Sequence, residues 1–212
     1  MAMVLENLLR DAMRRLDEKH LLGADGSVSV RLPGAGDMLI ATASDEPVRV
    51  SLSTKPSLEH ARHAAVYAAR ADVGAIALGG GAFGRMLGSF GGQLPQLFDE
   101  QARHLGATVV PMFHNTDDLQ ARAQPTLATG GNVWAGEHDV SVFGNTVHRL
   151  VLNAELLEKC AKAYVLAKAT GMPLHTLPWW VCHIANGRLK KDQKRAAQRF
   201  AQGLLPEEVK GY

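Results

Sequence analysis

The sequence has few cysteines, little net charge and no long apolar run. Its 212 residues include two cysteines, Cys160 and Cys182, whereas a secreted domain normally uses more of them, in pairs. We therefore expect reduced thiols in a cytoplasmic protein. Lys and Arg total 23 against 21 Asp and Glu, so there is no electrostatic reason to expect nucleic acid or an anionic membrane as a partner. The expected partners are small molecules or other proteins.

Membrane and targeting segments are also missing. No uncharged apolar stretch reaches the roughly 20 residues that a membrane span requires. The first 20 residues carry acids and bases throughout, without the apolar core of a signal peptide, which predicts a mature N-terminal helix. We see no internal repeat and no low-complexity segment. The length predicts a single domain over residues 1–212, with a helical C-terminal extension from about residue 177.

Hydrophobic periodicity predicts helices around a set of short strands. A hairpin is expected at Val28 to Leu32 and Met38 to Ala41, and helix one is expected to end near residue 22. Ser57 is placed to cap a second helix whose core face would be Leu58, Ala61, Ala65 and Ala69. Further strands are predicted at Arg49 to Ser53, Val73 to Leu78, Ala107 to Met112, Asn132 to Ala135 and Asp139 to Phe143, and further helices at Pro95 to Leu105, Val147 to Thr170 and Leu177 to Leu205. This pattern predicts a three-layer α/β fold with a mainly antiparallel central sheet flanked by helices.

Four segments in a fixed order carry a family resemblance. They are "GSVSVR" from Gly26, "KPSLEHARHAAVYAARADVGAI" from Lys55, "LPQLFDEQARHLG" from Leu94 and "HDVSVFGNTV" from His138. Together they resemble the class II aldolase/adducin family, which includes fuculose-phosphate aldolase, ribulose-phosphate epimerase and several aromatic hydroxy-acid decarboxylases. The resemblance covers about residues 5–170.

The resemblance implies a nine-stranded, mostly antiparallel sheet between helical layers, in a cyclic homotetramer with active sites between subunits. Family enzymes hold a divalent metal, usually zinc, on a His-x-His and a later His-Gly. The metal polarises the hydroxyl and carbonyl oxygens of the substrate so that an enediolate can form. A nearby Glu moves the proton.

The metal ligands implied by the family are incomplete in this sequence. The His-x-His positions fall on Leu78 and Gly80, and neither side chain can donate an electron pair to a metal. His138 matches the third ligand, although Asp139 replaces the glycine that follows it. Because a catalytic zinc site needs about three protein ligands, we expect no stoichiometric zinc in the family position. A rearranged site using other histidines, His60, His104, His114 or His148, stays open, and the cofactor stays unknown.

Other family positions match unevenly. Glu59 falls on the catalytic carboxylate, although a Glu in a first helical turn also favours the helix dipole without any catalytic role. His63 and Tyr67 follow on the same helix face and are expected in the core or at an interface. In the phosphate loop, Ser27 replaces Asn and Ser44-Asp45 replaces Ser-Gly. The added carboxylate would repel a phosphate.

Three consecutive glycines, Gly79, Gly80 and Gly81, follow the strand that would carry the metal ligands. Their backbone N–H groups could form an anion-binding nest, or the glycines could only permit close backbone packing. We take Ser27, Ser44 and these glycines as candidate ligand-binding residues. The glycine segment, the start of the Glu59 helix and His138 are expected to converge on one cleft.

Two functions from different classes remain open. One is a lyase, for aldol cleavage or decarboxylation of a small hydroxy, keto or aromatic acid, with Glu59 as the acid/base. The other is a non-catalytic member, as in adducin, that serves ligand binding or assembly. A homo-oligomer is expected, a tetramer by resemblance. Trp179 and Trp180 are expected to anchor the C-terminal helix to the core or to a neighbouring subunit.

Overall fold

The computed structural model describes residues 2–42, 45–57, 60–106, 110–111, 123, 127–136 and 138–208. Its helices are α1 (Ala2–Glu18), α2 (Ala61–Ala69), α3 (Ala82–Met86), α4 (Asp99–His104), α5 (Val147–Ala169) and α6 (Trp179–Ala201). Its strands are β1 (Ser27–Leu32), β2 (Asp37–Thr42), β3 (Val48–Ser51), β4 (Ala75–Gly79), β5 (Val110–Pro111), β6 (Val133–Ala135) and β7 (Val140–Gly144). A short 3₁₀ helix follows α3 at Leu87–Phe90.

The strands form one sheet in the order β3-β2-β1-β4-β7-β6-β5. Every neighbouring pair is antiparallel except β5 and β6, which run parallel. The predicted fold class is therefore confirmed. Seven strands lie within the described residues, where the resemblance implies nine.

The two faces of the sheet bury different clusters. Val28 and Val30 of β1 belong to a large apolar cluster with α1 and α5. The alternate residues, Ser27, Ser29 and Arg31, point to the opposite face, where α2 packs. Ser27 and Ser29 are both buried there. The polar side of the β1 alternation thus faces a helix and not solvent.

Helix α1 ends at Glu18, four residues before the predicted end. His20 adopts a left-handed conformation with φ of 56°. The Leu21 amide then bonds back to the Leu16 carbonyl and the His20 amide to the Asp17 carbonyl. This pair of bonds is a Schellman motif, in which histidine takes the place usually held by glycine.

The predicted start of α2 is wrong. The helix begins at Ala61 because a separate turn precedes it, in which the Ser57 carbonyl accepts the His60 amide. The Ser57 hydroxyl bonds the His60 ring at 3.0 Å and does not cap the helix. The predicted core face is also shifted: the buried residues of α2 are His63, Ala65, Val66 and Tyr67. Leu58 lies outside the described residues.

Helix α6 packs against the body through polar contacts with α4 and with the segment before β6. Arg103 of α4 pairs with Asp192 at 2.7 Å, and Gln193 Nε2 donates to the Gly130 carbonyl at 2.7 Å. Trp179 and Trp180 are 78% and 55% exposed, so the expectation that they anchor the helix to the core is wrong. Contact with a neighbouring subunit, and the single-domain organisation, stay predictions.

Candidate functional site

The sheet places the end of β4 beside the starts of β1 and β7. Ser27 and Ser141 both pair with Leu78, from opposite sides. Residues directly opposite each other in an antiparallel sheet point to the same face. Ser27, Leu78 and Ser141 therefore form a row that faces α2. Gly79 pairs with Val140, which brings Gly80 next to the Asp139 end of β7.

Helix α2 reaches the same edge through a charged pair. Arg62, in its first turn, donates from Nη1 to Asp139 Oδ2 at 2.5 Å. The two side chains are 21% and 31% exposed, so the pair lies at the solvent-facing end of this edge of the sheet. The start of α2, the end of β4 and the start of β7 thus meet at one place. Glu59 itself lies outside the described residues, as does Ser44.

The residues present do not fit the metal that the resemblance implies. Leu78 is half-buried and offers no ligand atom. A Cβ at Gly80 would lie 2.1 Å from Val140 Cγ1, so an imidazole cannot enter unless Val140 moves. His138 is exposed. In the part of the chain that the structure describes, no group of three or more His, Cys, Asp or Glu could hold a metal ion.

The glycine segment is closely packed. Gly79 and Gly80 have φ of 129° and 87°, a range that side chains rarely adopt. A Cβ at Gly79 would lie 1.8 Å from the Leu22 carbonyl oxygen, and one at Gly81 would lie 2.5 Å from the Glu158 carboxylate. These contacts favour the packing interpretation of the three glycines.

An internal carboxylate already binds the amides that follow this segment. Glu158 of α5 accepts the Phe83 amide at 2.9 Å and the Gly84 amide at 2.8 Å. These are first-turn amides of α3, which have no partner within the helix. A ligand carboxylate would have to displace Glu158 to use them.

The Ser27 hydroxyl belongs to a buried chain of hydrogen bonds. His63 Nε2 lies 2.8 Å from Ser27 Oγ, and its Nδ1 lies 2.7 Å from Ser29 Oγ. Ser29 Oγ lies a further 2.9 Å from the Tyr67 hydroxyl. Burial, with a smaller contribution from Arg62, lowers the pKa of His63 to about 3, and burial raises that of Tyr67. The imidazole is therefore neutral, with one hydroxyl donating to it and the other accepting from it.

Asp45, which takes the place of glycine in the phosphate loop that the resemblance implies, is turned towards the strand before it. Its Oδ2 accepts the Thr42 hydroxyl at 2.5 Å. The carboxylate thus lies beside the end of β2, the strand that precedes the loop.

Sequence reasoning missed four residues of this edge: Arg62, Glu158, Trp134 and Ser141. Two of them left a signal. Ser141 is a polar residue inside an apolar strand, and Arg62 follows Glu59 by three residues in the sequence. Glu158 left none, because its contact with α3 spans 74 residues or more.

The comparisons with known proteins agree with this architecture. The model of the Class II Aldolase and Adducin N-terminal domain matches residues 7–165. The chain belongs to the class II aldolase/adducin family. No curated protein matches the sequence.

Solved structures of this family share the fold at low identity. An L-fuculose 1-phosphate aldolase is 20% identical, with a TM-score of 0.73, over 87% of this chain and 94% of its own. YgbL from Escherichia coli is 18% identical, with a TM-score of 0.69, over 85% of this chain and 96% of its own. An aldolase II superfamily protein from Pseudomonas syringae is 16% identical, with a TM-score of 0.68, over 94% and 92%. At these identities the likeness extends to the fold alone.

Proposed function

We propose that this family member is a metal-independent lyase that binds a small hydroxy, keto or aromatic acid where β4, β7 and α2 meet. The observation that carries the proposal is the Arg62–Asp139 pair at 2.5 Å. It provides a fixed cation next to the start of β7, the strand that pairs with the end of β4. A guanidinium stays charged and binds carboxylates in a planar, two-bond geometry.

The chemistry assigned to these residues is an aldol cleavage, which requires an acid whose hydroxyl group lies β to a carbonyl group. A base removes the proton of the substrate hydroxyl, the adjacent C–C bond breaks, and an aldehyde leaves. The electron pair of that bond passes to the second fragment as an enolate, whose oxygen is stabilised by the Arg62 cation. In this proposal Glu59 is the acid/base that removes the proton and returns it to the enolate carbon.

A phosphosugar is disfavoured as the substrate. The Asp139 carboxylate lies at this edge, and Asp45 takes the place of glycine in the phosphate loop that the resemblance implies; both would repel a phosphate. The first-turn amides of α3 hold Glu158, and the Ser27 hydroxyl bonds His63. A carboxylate carries less negative charge than a phosphate and needs fewer donors.

The test is turnover after metal removal. The purified protein is dialysed against EDTA and assayed with a panel of small hydroxy, keto and aromatic acids. We expect turnover to persist, and Arg62→Gln and Glu59→Gln to abolish it with an unchanged circular dichroism spectrum. Arg188→Gln and Glu207→Gln, both exposed, are matched controls that should retain activity. Turnover that returns only with added zinc would overturn the proposal.

The second candidate is a non-catalytic member that serves assembly or ligand binding. One observation favours it: the exposed pair Trp179 and Trp180 at the start of α6. Binding of an acid without turnover in the same assay would support this candidate. We also expect a homo-oligomer and a cytoplasmic location, the latter because Cys160 and Cys182 are free thiols.

A further inference from the structure

Three buried polar atoms near this edge have no hydrogen-bond partner among the residues that the structure describes. They are Trp134 Nε1, Ser141 Oγ and Asp139 Oδ1. Trp134 is 2% exposed and Ser141 is fully buried. Buried polar atoms without partners cost free energy and are uncommon in native proteins. Several in one place indicate that something else completes them.

The sheet register places these three residues next to one another on one face of the sheet. Trp134 pairs with Ser141 across β6 and β7, so their Cβ atoms are about 5 Å apart on one face. Asp139 precedes Ser141 by two residues, and its carbonyl accepts the Gly136 amide at 2.9 Å. This bond continues the ladder, so Asp139 shares the α2-facing side. We call Trp134, Ser141 and Asp139 the polar row.

The polar row lies directly beside the replaced metal position. Ser141 pairs with Leu78 on its other side, and Asp139 Oδ2 accepts from Arg62. Leu78, Arg62 and Asp139 are only half-buried, so this side of the polar row is the side nearest to solvent. The polar row thus lies deeper in the protein than the Arg62–Asp139 pair, at the same edge of the sheet.

The chemistry of the unpartnered atoms restricts the ligand. An indole N–H only donates, a serine hydroxyl donates or accepts, and a carboxylate oxygen only accepts. A molecule that completes all three needs an acceptor atom for Trp134 and Ser141 and a donor group of its own for Asp139. A hydroxy acid has both groups. The matching keto acid lacks the O–H group and would leave Asp139 Oδ1 facing a carbonyl oxygen.

We infer that the polar row selects hydroxy acids over keto acids at this site. The ligand carboxylate accepts from the Trp134 indole and the Ser141 hydroxyl, beside the Arg62 guanidinium, and the ligand hydroxyl donates to Asp139 Oδ1. This inference rests on the proposed binding of a small acid and narrows its class. It requires no turnover.

The test uses the full-length protein and calorimetric titration with two matched pairs: lactate against pyruvate, and mandelate against phenylglyoxylate. In at least one pair we expect the hydroxy acid to bind tenfold or more tightly. Ser141→Ala and Trp134→Phe should each weaken its binding about tenfold. The exposed positions supply matched controls, Ser89→Ala and Trp180→Phe, which should leave binding unchanged.

Thermal unfolding without ligand gives a second readout. Because Ser141→Ala removes an unpartnered buried atom and little volume, it should keep or raise the melting temperature while it weakens binding. A lower melting temperature with unchanged binding would show that ordered waters complete the row, and would overturn the inference. Equal affinity for both members of each pair, or no binding of any of the four acids, would overturn it as well.

The outcomes separate the inference from the proposed lyase. Selective binding of a hydroxy acid without turnover would support the inference about the polar row and contradict the proposed lyase activity. EDTA-resistant turnover of a keto acid, unaffected by Ser141→Ala, would support the proposed lyase activity and contradict the inference about the polar row.

Discussion

At the residue scale, Gly80 decides whether a metal ligand can be placed on β4. Its φ is 87°, and a Cβ added there would lie 2.1 Å from Val140 Cγ1. Gly80→His should lower the free energy of unfolding by at least about 2 kcal/mol, from left-handed strain plus overpacking. Urea denaturation measures this loss.

A control variant separates the two causes. Gly36 also has a positive φ, of 66°, but a Cβ there meets no atom within 4 Å. Gly36→His should therefore introduce the backbone strain without the clash. It should lower the free energy of unfolding by less than Gly80→His does. Equal losses at the two positions would contradict the packing explanation.

His63 gives a pH dependence of stability. Its pKa is about 3 in the folded protein against an ordinary value of about 6.5. Below pH 6.5 the unfolded chain therefore binds a proton that the folded chain does not, and stability falls as the pH falls. From pH 7 to pH 5 this single group should remove about 2 kcal/mol.

The measurement is a comparison of denaturation curves at the two pH values. In His63→Gln, the loss between pH 7 and pH 5 should be smaller by that amount, because the other titrating groups are shared. A variant that loses stability as steeply as the original chain would show that His63 accepts a proton while folded.

At the element scale, the attachment of α6 to α4 includes a mostly buried ion pair. Asp192 is 14% exposed in its pair with Arg103, whereas Arg195 lies 3.9 Å from the same carboxylate and is 74% exposed. Asp192→Asn should increase amide hydrogen exchange along α6 without affecting α5. Arg195→Gln should have no effect, since exposed pairs contribute little. Faster exchange of both helices together would mean that α6 does not open on its own.

The elements predicted best from the sequence are those fixed by local signals. The hairpin of β1 and β2 lies within a residue of its predicted bounds because alternation and a Pro-Gly turn define it. The start of α2 was missed because Ser57 forms a turn with His60, which has the same sequence signature as a helix cap. The shape of this local turn depends on how the chain enters the sheet.

In the candidate site, too, features that depend on local sequence could be predicted, whereas features that depend on distant residues could not. The assignment of the family's metal-ligand positions to Leu78 and Gly80 rests on the family resemblance and stays a prediction. The polar row could not be predicted, because it depends on which residues of β6 and β7 stand opposite each other. Arg62 was missed for a related reason: its partner Asp139 is 77 residues away.

At the scale of the whole molecule, the exposed tryptophans predict self-association. Large apolar side chains left in solvent commonly mark interfaces, and the start of α6 presents Trp179, Trp180 and Ile184. Light scattering at micromolar concentration should return an oligomer, and Trp179→Ser with Trp180→Ser should shift it to a smaller species.

The control for this experiment lies on the edge strand β3. Val48 is 50% exposed, so Val48→Ser removes apolar surface elsewhere and should leave the mass unchanged. A monomer for the unaltered chain would contradict the prediction outright.

The Val140 side chain beside Gly80 also constrains how such a protein can evolve. Restoring a metal-binding pair needs histidine at both Leu78 and Gly80, yet the second substitution is unfavourable while valine fills that space. A smaller residue at position 140 must therefore come first, and by itself it brings only a cavity. The substitutions are epistatic, because the effect of histidine at position 80 depends on which residue occupies position 140. The surroundings of Arg62 can therefore change more readily than position 80 can accept a histidine.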